Sequence, residues 1–251
     1  MDPWKFYDIT HRNHVVMNPT SEDKINHLVN LLPLQRARVI DLGCGKGEFL
    51  LRLAQAYDVA GIGVDISPFC VADAKRNHQE RASSANLSFI QADGATTNVD
   101  RQTFDMASCL GASWIFGGYR GTLQALISMV KPDGWIVIGE PYWRQESSED
   151  YLKASGDQRD TIGTHAVNAD AGEELGLHLV YTFVSSADEF DAYDGLQWYA
   201  ADEYARMHAE DPDVPESVKR VAEQKRIFLR WGRDTLGWAI YVFRRASASG
   251  S

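Results

Sequence analysis

Hydrophobic and polar positions alternate between two spacings along the first 143 residues, and this pattern predicts strands and helices in turn. Short apolar runs that are typical of buried strands occupy residues 38–42, 59–64, 87–90, 104–110 and 135–139. The segments between them carry apolar residues at helical spacing, as in residues 20–33, whose stripe is formed by Ile25, Leu28, Val29 and Leu32. Strands that alternate with helices predict a parallel sheet covered by helices on both faces.

Local signals predict where two of these helices begin and where a third ends. Thr20 can cap the helix over residues 20–33, with Asp23 at the capping-box position. Ser67 followed by Pro68 opens the helix after the second strand, because proline is favoured at the first helical position. The helix before the fifth strand is predicted to stop at the turn formed by residues 131–134.

The pattern loosens after residue 143. Residues 144–176 predict an irregular stretch followed by a helix that ends near Gly176. Residues 177–185 and 238–243 alternate like strands, and two helical segments lie between them, at 188–209 and 214–231. A connection of this length is longer than an ordinary crossover and is typical of a lid over a site.

Composition narrows the class of protein. The 251 residues are 44% hydrophobic and 24% charged, which fits one large α/β domain. The net charge of −10 weakens the case for a nucleic-acid partner, since such proteins usually carry a basic stripe. The basic run between residues 219 and 233 is interrupted by Glu223 and is better interpreted as the solvated face of a helix. With no long apolar run and no signal-peptide pattern, we expect a cytoplasmic protein without a membrane partner.

Cysteines and metal-ligand types add little chemistry. Cys44, Cys70 and Cys109 are too few and too scattered for a disulfide framework or a zinc site, so we interpret them as small core residues. No cluster of metal ligands is evident, and we expect no metal. Residues 247–251 resemble a linker and are predicted to be a tail outside the domain.

The strongest chemical signal is the glycine-rich loop after the first strand, residues 41–47, with the sequence DLGCGKG. Its glycines allow close approach of the backbone to a ligand, and the next helix offers unpaired N–H groups. A Walker loop is disfavoured because Lys46 is followed by Gly47 rather than Ser or Thr, and the glycine spacing departs from the dinucleotide fingerprint. A nucleoside that bears an amino-acid tail is the third candidate. Asp65, 22 residues beyond Gly43, suits a ribose diol, and Ile66 can cover an adenine face.

This loop resembles the first motif of the class I S-adenosylmethionine-dependent methyltransferases. Further segments match the family in order and spacing, namely residues 63–66, 91–94, 104–111 and 126–138. The resemblance covers residues 35–140, and the whole chain is most similar to small, stand-alone bacterial members. It implies a Rossmann-like three-layer α/β/α sandwich, with a mostly parallel seven-stranded sheet whose last strand is antiparallel, and S-adenosyl-L-methionine as the cofactor.

The resemblance also implies the cofactor contacts. It places Asp65 at the ribose hydroxyls and Asp93 near the adenine amino group. Taken singly, Asp65 is equally well explained as a helix-entry residue and Asp93 as a turn former. The expected cofactor-binding residues are Asp41, Gly43, Cys44, Gly45, Gly47, Asp65, Ile66, Asp93, Gly94 and Leu110.

The acceptor side of the site is predicted from the sheet. In open parallel sheets the ligand crevice lies beyond the carboxyl ends of the strands, so residues after strands four and five should line it. The expected substrate-binding residues are aromatic and suit an apolar or cationic acceptor, with ordinary packing as the alternative; they are Trp114, Tyr142, Trp143 and Tyr193. Candidate general bases are Glu140, His14 and His165, of which Glu140 is the best placed.

We therefore expect a single domain over residues 1–246 that methylates a small molecule and exists as a monomer or homodimer. Its predicted parts are N-terminal cap helices at 1–34, a cofactor-binding half at 35–143 and a substrate-side half at 144–246. Residues 186–235 form the lid, which covers the pocket together with residues 1–19 or else completes the core. A nucleic-acid or protein methyltransferase, and a protein that binds S-adenosylmethionine without methyl transfer, remain alternatives. The motif that DNA amino-methyltransferases carry after strand four is absent from the sequence Gly-Ala-Ser-Trp found there.

Overall fold

One mixed sheet organises the computed structural model, which describes residues 1–97 and 99–247. Within those residues, the sheet has seven strands in the order β3-β2-β1-β4-β5-β7-β6. The strands are β1 (Arg38–Leu42), β2 (Ala60–Asp65), β3 (Asn86–Gln91), β4 (Phe104–Leu110), β5 (Val130–Trp143), β6 (Leu177–Val184) and β7 (Leu236–Arg245). Strands β1 to β5 are parallel, and β7 lies antiparallel between β5 and β6. The predicted fold class, with its antiparallel last strand, is confirmed. Of the predicted tail, residues 248–251 lie outside the described residues.

Helices cover both faces and the carboxyl edge of this sheet. They are α1 (Pro3–His11), α2 (Glu22–Leu31), α3 (Glu48–Ala56), α4 (Pro68–Arg81), α5 (Tyr119–Met129), α6 (Glu149–Ser155), α7 (His165–Glu174), α8 (Ala187–Met207), α9 (Val214–Ile227) and α10 (Arg233–Thr235). Successive residues of β1 point to opposite faces, so Val39 packs with α2, α3 and α4 while Ile40 packs with α5. The alternation divides the core into two layers of apolar side chains, one on each side of the sheet.

Helix α4 begins as predicted, whereas α2 begins one residue later than expected. The Ser67 hydroxyl accepts a hydrogen bond from the backbone N–H of Cys70, and Pro68 occupies the first turn. The cap of α2 is Ser21, and the predicted cap Thr20 is buried and accepts a hydrogen bond from the indole N–H of Trp238 at 3.0 Å. The sequence allows either cap, and the contact with β7 decides between them.

Strand β5 is much longer than the predicted segment 135–139. Its pairing with β4 skips from Val130 to Trp135, so the predicted turn at residues 131–134 becomes an excursion inside the strand, with Asp133 at φ +62°. Beyond Gly139 the strand continues because it pairs with β7 as far as Trp143. Residues 140–143, which were expected to follow the strand, therefore belong to it, and their side chains alternate between the two faces of the sheet.

The two long helical segments of the second half form a layer over the carboxyl edge of the sheet. Helix α8 starts with a capping box between Ser186 and Glu189. Helix α1 packs on α8 and α9 through Phe6, Ile9 and Val221. The predicted helices and the N-terminal segment therefore meet over the strand ends. Among the described residues, no helix combines the length and the apolar character needed to cross a bilayer.

Candidate active site

A cavity of about 520 Å³ lies at the carboxyl ends of β1, β2 and β4, beneath α1 and α8. Its floor consists of the glycine loop and of residues at the ends of these strands, namely Asp41, Asp65 and Leu110. Its cover comes from residues 4–18 and from Tyr193 of α8. The cavity is therefore a place where both halves of the chain meet.

The glycine loop is shaped by its own packing. Gly43, Gly45 and Gly47 have φ angles of +68°, +53° and +77°, in the left-handed region that favours glycine. A Cβ at Gly43 would lie 2.5 Å from the side chain of Ala112, and one at Gly47 would lie 2.6 Å from the ring of Phe89. A Cβ at Gly45 would likewise lie 2.8 Å from the Sδ atom of Met17. We expected these glycines to permit close approach of a ligand, whereas the structure shows that all three also avoid clashes within the protein.

Asp65 ends β2 and fixes the loop at the same time. One carboxylate oxygen accepts a hydrogen bond from the backbone N–H of Gly45 at 2.8 Å, and the other accepts from the N–H of Ser67 at 2.9 Å. Burial raises the pKa of this carboxyl above its ordinary value of 3.8. Asp65 and Ile66 both line the cavity, so Asp65 serves as a helix-entry residue and as part of the site.

Asp41 lies deeper, below the loop. Only 2% of the residue is exposed, and its carboxyl accepts a hydrogen bond from the hydroxyl of Ser108 at 2.7 Å. Burial raises the pKa of the Asp41 carboxyl to about 7. Neither Asp41 nor Asp65 pairs with a Lys or Arg among the residues described, so the floor of the cavity is acidic without a neutralising cation.

Lys46 turns its charge away from this floor. Its ammonium group donates hydrogen bonds to the carbonyl oxygens of His11, Arg12 and His14 at 2.7, 3.0 and 3.1 Å. These carbonyls lie at the carboxyl end of α1, where a helix attracts positive charge. Lys46 thus ties the glycine loop to the N-terminal helix.

Most predicted cofactor contacts lie on the cavity wall, but three do not. Asp41, Gly43, Cys44, Gly45, Asp65, Ile66 and Leu110 line it. Gly47 lies at the end of the loop against Phe89 and Ala74, and Gly94 is buried against the side chain of Ile115. Asp93 is exposed and accepts a hydrogen bond from the N–H of Ala95 at 2.9 Å, which is the turn-forming role given above as the alternative.

Two of the four predicted substrate contacts are packed away from the cavity. Tyr142 is buried with its ring against Gly237 and 5.1 Å, between centroids, from the ring of His165. Trp143 is buried too, and its indole N–H donates to the carbonyl of Arg159 at 3.1 Å. Tyr142 and Trp143 lie away from the cavity because β5 extends as far as Trp143, which places their rings against α7 and α6. Trp114 and Tyr193, by contrast, line the cavity as expected.

None of the three candidate bases lines the 520 Å³ cavity; Glu140 and His14 are buried, and His165 is half-buried. Glu140 is 6% exposed; one carboxyl oxygen accepts from the hydroxyl of Ser113 at 3.0 Å, and burial raises its pKa to about 7. His14 lines a smaller neighbouring cavity, and its Nε2 hydrogen bonds to the backbone carbonyl of Tyr193 at 2.9 Å. His165 hydrogen bonds to the hydroxyl of Tyr241 at 2.9 Å.

Helix α1 supplies three wall residues that the sequence reasoning missed, Trp4, Tyr7 and His11. The ring of Trp4 lies 6.4 Å from that of Trp114 and 6.3 Å from that of Tyr7, measured between centroids. A signal was available, because Asp2 followed by Pro3 is a helix-start signature and the three residues recur at positions i, i+3 and i+7.

Comparisons with known proteins show what this chain is similar to. A family model described as a methyltransferase domain matches residues 34–183. The uncharacterized protein YjhP of Escherichia coli is 30% identical over 245 residues, which is 96% of this chain and 98% of YjhP. A methyltransferase of Geobacter sulfurreducens, solved in complex with S-adenosyl-L-homocysteine, is 28% identical with a TM-score of 0.88, covering 95% of this chain and 97% of its own. The 27-O-demethylrifamycin SV methyltransferase of Amycolatopsis mediterranei is 24% identical over 71% of this chain and 66% of its own length.

Proposed function

The chain belongs to the family of S-adenosylmethionine-dependent methyltransferases, and from that premise we propose that its methyl acceptor is a small molecule. One observation carries the proposal. The acidic floor and the aromatic wall belong to a single cavity of about 520 Å³, a size that is ordinary for a small-molecule site.

The floor fits the cofactor. Asp65, Ile66 and the glycine loop would hold the nucleoside part, and the unpaired acidic floor favours a ligand that carries positive charge. When bound, the cofactor supplies a methyl group that is already activated by its sulfonium. What remains for the protein is to align the acceptor and to exclude water.

The wall supports an acceptor of limited size. Trp4, Tyr7 and Trp114 form its outer edge, and Val15, Val16 and Ile115 add apolar surface. Aromatic and apolar surface binds compact organic molecules, with a few polar groups fixing their orientation. The net charge of −10 argues against a polyanionic acceptor. The name of the Amycolatopsis relative likewise gives its acceptor as 27-O-demethylrifamycin SV, which is not a polymer.

The test is an unbiased transfer assay. Purified protein is incubated with S-adenosylmethionine that carries a deuterated methyl group, together with a bacterial metabolite extract, bulk RNA, DNA or cell protein in separate reactions. Mass spectrometry should find the labelled methyl group on a compound in the metabolite extract. Label found only in RNA, DNA or protein would refute the proposal. Protein carrying Asp65→Ala serves as the control for transfer that depends on this site.

A further inference from the structure

His11 and Tyr193 form a hydrogen-bonded pair on the wall of the cavity. The Nε2 atom of His11 lies 2.9 Å from the hydroxyl oxygen of Tyr193, and both residues line the cavity. His11 comes from α1 and Tyr193 from α8, so the pair joins the two helices of the cover. Tyr193 is half-buried, whereas His11 is 5% exposed.

The surroundings of His11 determine which ring nitrogen carries the proton. Its Nδ1 atom lies 3.2 Å from the carbonyl oxygen of Tyr7, a group that can only accept. Nδ1 also lies 3.0 Å from the hydroxyl of Thr10, which can accept from Nδ1 while it donates its own proton to the carbonyl of Phe6, also at 3.0 Å. Burial lowers the pKa of His11 to about 3, so the ring is neutral and carries one N–H. That N–H is on Nδ1, and Nε2 is left as an acceptor.

The hydroxyl of Tyr193 therefore donates its proton to Nε2 of His11 at 2.9 Å, in preference to the carbonyl oxygen of Met17 at 3.5 Å. Burial holds the pKa of Tyr193 well above its ordinary value, so the phenol stays neutral and has one proton to give. Once that proton is committed, the oxygen can offer only lone pairs to a molecule in the cavity. The carbonyl of Tyr193 is held by Nε2 of His14 at 2.9 Å, which fixes α8 at this point.

We propose that Tyr193, oriented by His11, selects a planar acceptor molecule that presents a hydroxyl group to it. The proposal rests on the proposed function and names the substrate class of the same site. A donor hydrogen is required because an ether or carbonyl oxygen would meet the Tyr193 lone pairs without a proton between them. A planar molecule is favoured because the outer wall consists of the rings of Trp4, Tyr7 and Trp114, the last of them 59% exposed.

Tyr193 orients the hydroxyl rather than taking its proton. The buried ring of His11 disfavours the imidazolium that a relay would create. In the transfer, the acceptor oxygen forms a bond to the methyl carbon while the carbon–sulfur bond breaks and sulfur keeps the electron pair. The hydroxyl proton is released to bulk solvent outside the cavity once the new bond has formed.

Two matched probes test this selection by binding alone. The affinities of 2-naphthol and 2-methoxynaphthalene are measured by equilibrium dialysis with S-adenosyl-L-homocysteine present. Wild-type protein should bind 2-naphthol about tenfold more tightly, the value of one hydrogen bond together with one unfavourable contact. Tyr193→Phe, which keeps the ring, should bring the ratio of affinities close to one. His11→Phe frees the Tyr193 proton, so binding of 2-methoxynaphthalene should improve and the ratio should shrink.

A control removes the same hydroxyl elsewhere on the helix. Tyr199 lies exposed on α8 and does not line the cavity, so Tyr199→Phe should leave the ratio unchanged. An unchanged ratio in Tyr193→Phe would overturn the proposal, and so would failure of both probes to bind wild-type protein. Transfer of labelled methyl groups only to small molecules without a hydroxyl would overturn it while leaving the proposed function intact. Label found only in polymers would refute the proposed function itself.

Discussion

Replacing Glu140 with glutamine separates a structural role from a catalytic one. Glu140 is buried at the end of the sheet and accepts a hydrogen bond from Ser113, in the short helical turn that carries Trp114 to the cavity. Its second carboxyl oxygen has no partner among the described residues. Glutamine has the same shape and can still accept from Ser113, but it cannot become charged.

The magnitude follows from the pKa of this carboxyl. Burial raises it from 4.5 to about 7, so the folded protein keeps a proton that the unfolded chain releases between those values. A raised pKa of an acid makes stability fall as pH rises through this window. The total cost of ionising Glu140 is about 3 kcal/mol, of which about 2.5 kcal/mol falls between pH 5 and pH 8. Glu140→Gln removes this contribution.

The assay is urea unfolding of wild type and Glu140→Gln across pH 5 to 8. The free energy of unfolding of the variant, relative to wild type, should increase by about 2.5 kcal/mol over that range. Any cost of the unpartnered amide is the same at every pH and drops out of the comparison. Glu223→Gln, at an exposed position on α9, controls for the loss of one negative charge.

Two outcomes would refute the reasoning. Parallel stability curves for wild type and Glu140→Gln would show that Glu140 is already ionised in the folded protein. A fall in transfer rate of about a hundredfold or more, at unchanged cofactor affinity, would identify Glu140 as a general base. We expect the rate to stay within about threefold of wild type, because the amide still positions Ser113.

The remaining predictions concern the floor and the cover of the cavity. Asp65→Ala should weaken binding of S-adenosylmethionine by about 1–3 kcal/mol in calorimetry, since it removes an acceptor for ligand hydroxyls; unchanged affinity would remove Asp65 from the site. Gly45→Val should reduce cofactor affinity in the folded protein, whereas Gly134→Ala should lower the melting temperature but leave affinity intact, because its Cβ would clash with the Val130 side chain and lie 2.9 Å from the carbonyl oxygen of Asp105 in β4. Equal losses of affinity would contradict this division. Residues 1–19 and 186–235 should gain hydrogen-exchange protection when S-adenosyl-L-homocysteine is added; protection equal to that of β1 without ligand would make them scaffold.

The sheet could be predicted because its signals are local and redundant. The bounds of β1 and β4 agree with the apolar runs at 38–42 and 104–110, since strands covered on both faces are mostly apolar. The glycine loop and Asp65 were also found, because a tight turn and the carboxylate after the next strand leave a mark within a few residues of sequence.

The misplaced residues depend on partners far along the chain. Tyr142 and Trp143 were expected in the crevice, and pairing of β5 with β7, about a hundred residues away, turned them into the core. His11 was overlooked because one face of α1 becomes a cavity wall only when Tyr193 of α8 closes against it. Periodicity identifies which face of a helix is apolar, but it does not identify the surface that this face meets.

We expect the contact of Lys46 with the end of α1 to couple the binding of the cofactor to the binding of the acceptor. A ligand that settles the glycine loop also settles the three carbonyls that Lys46 holds, and with them the helix that carries Trp4 and Tyr7. Thermodynamic linkage then requires that cofactor and acceptor strengthen each other's affinity by the same factor. Cooperative binding of cofactor and acceptor is the consequence that we expect from this single ammonium group.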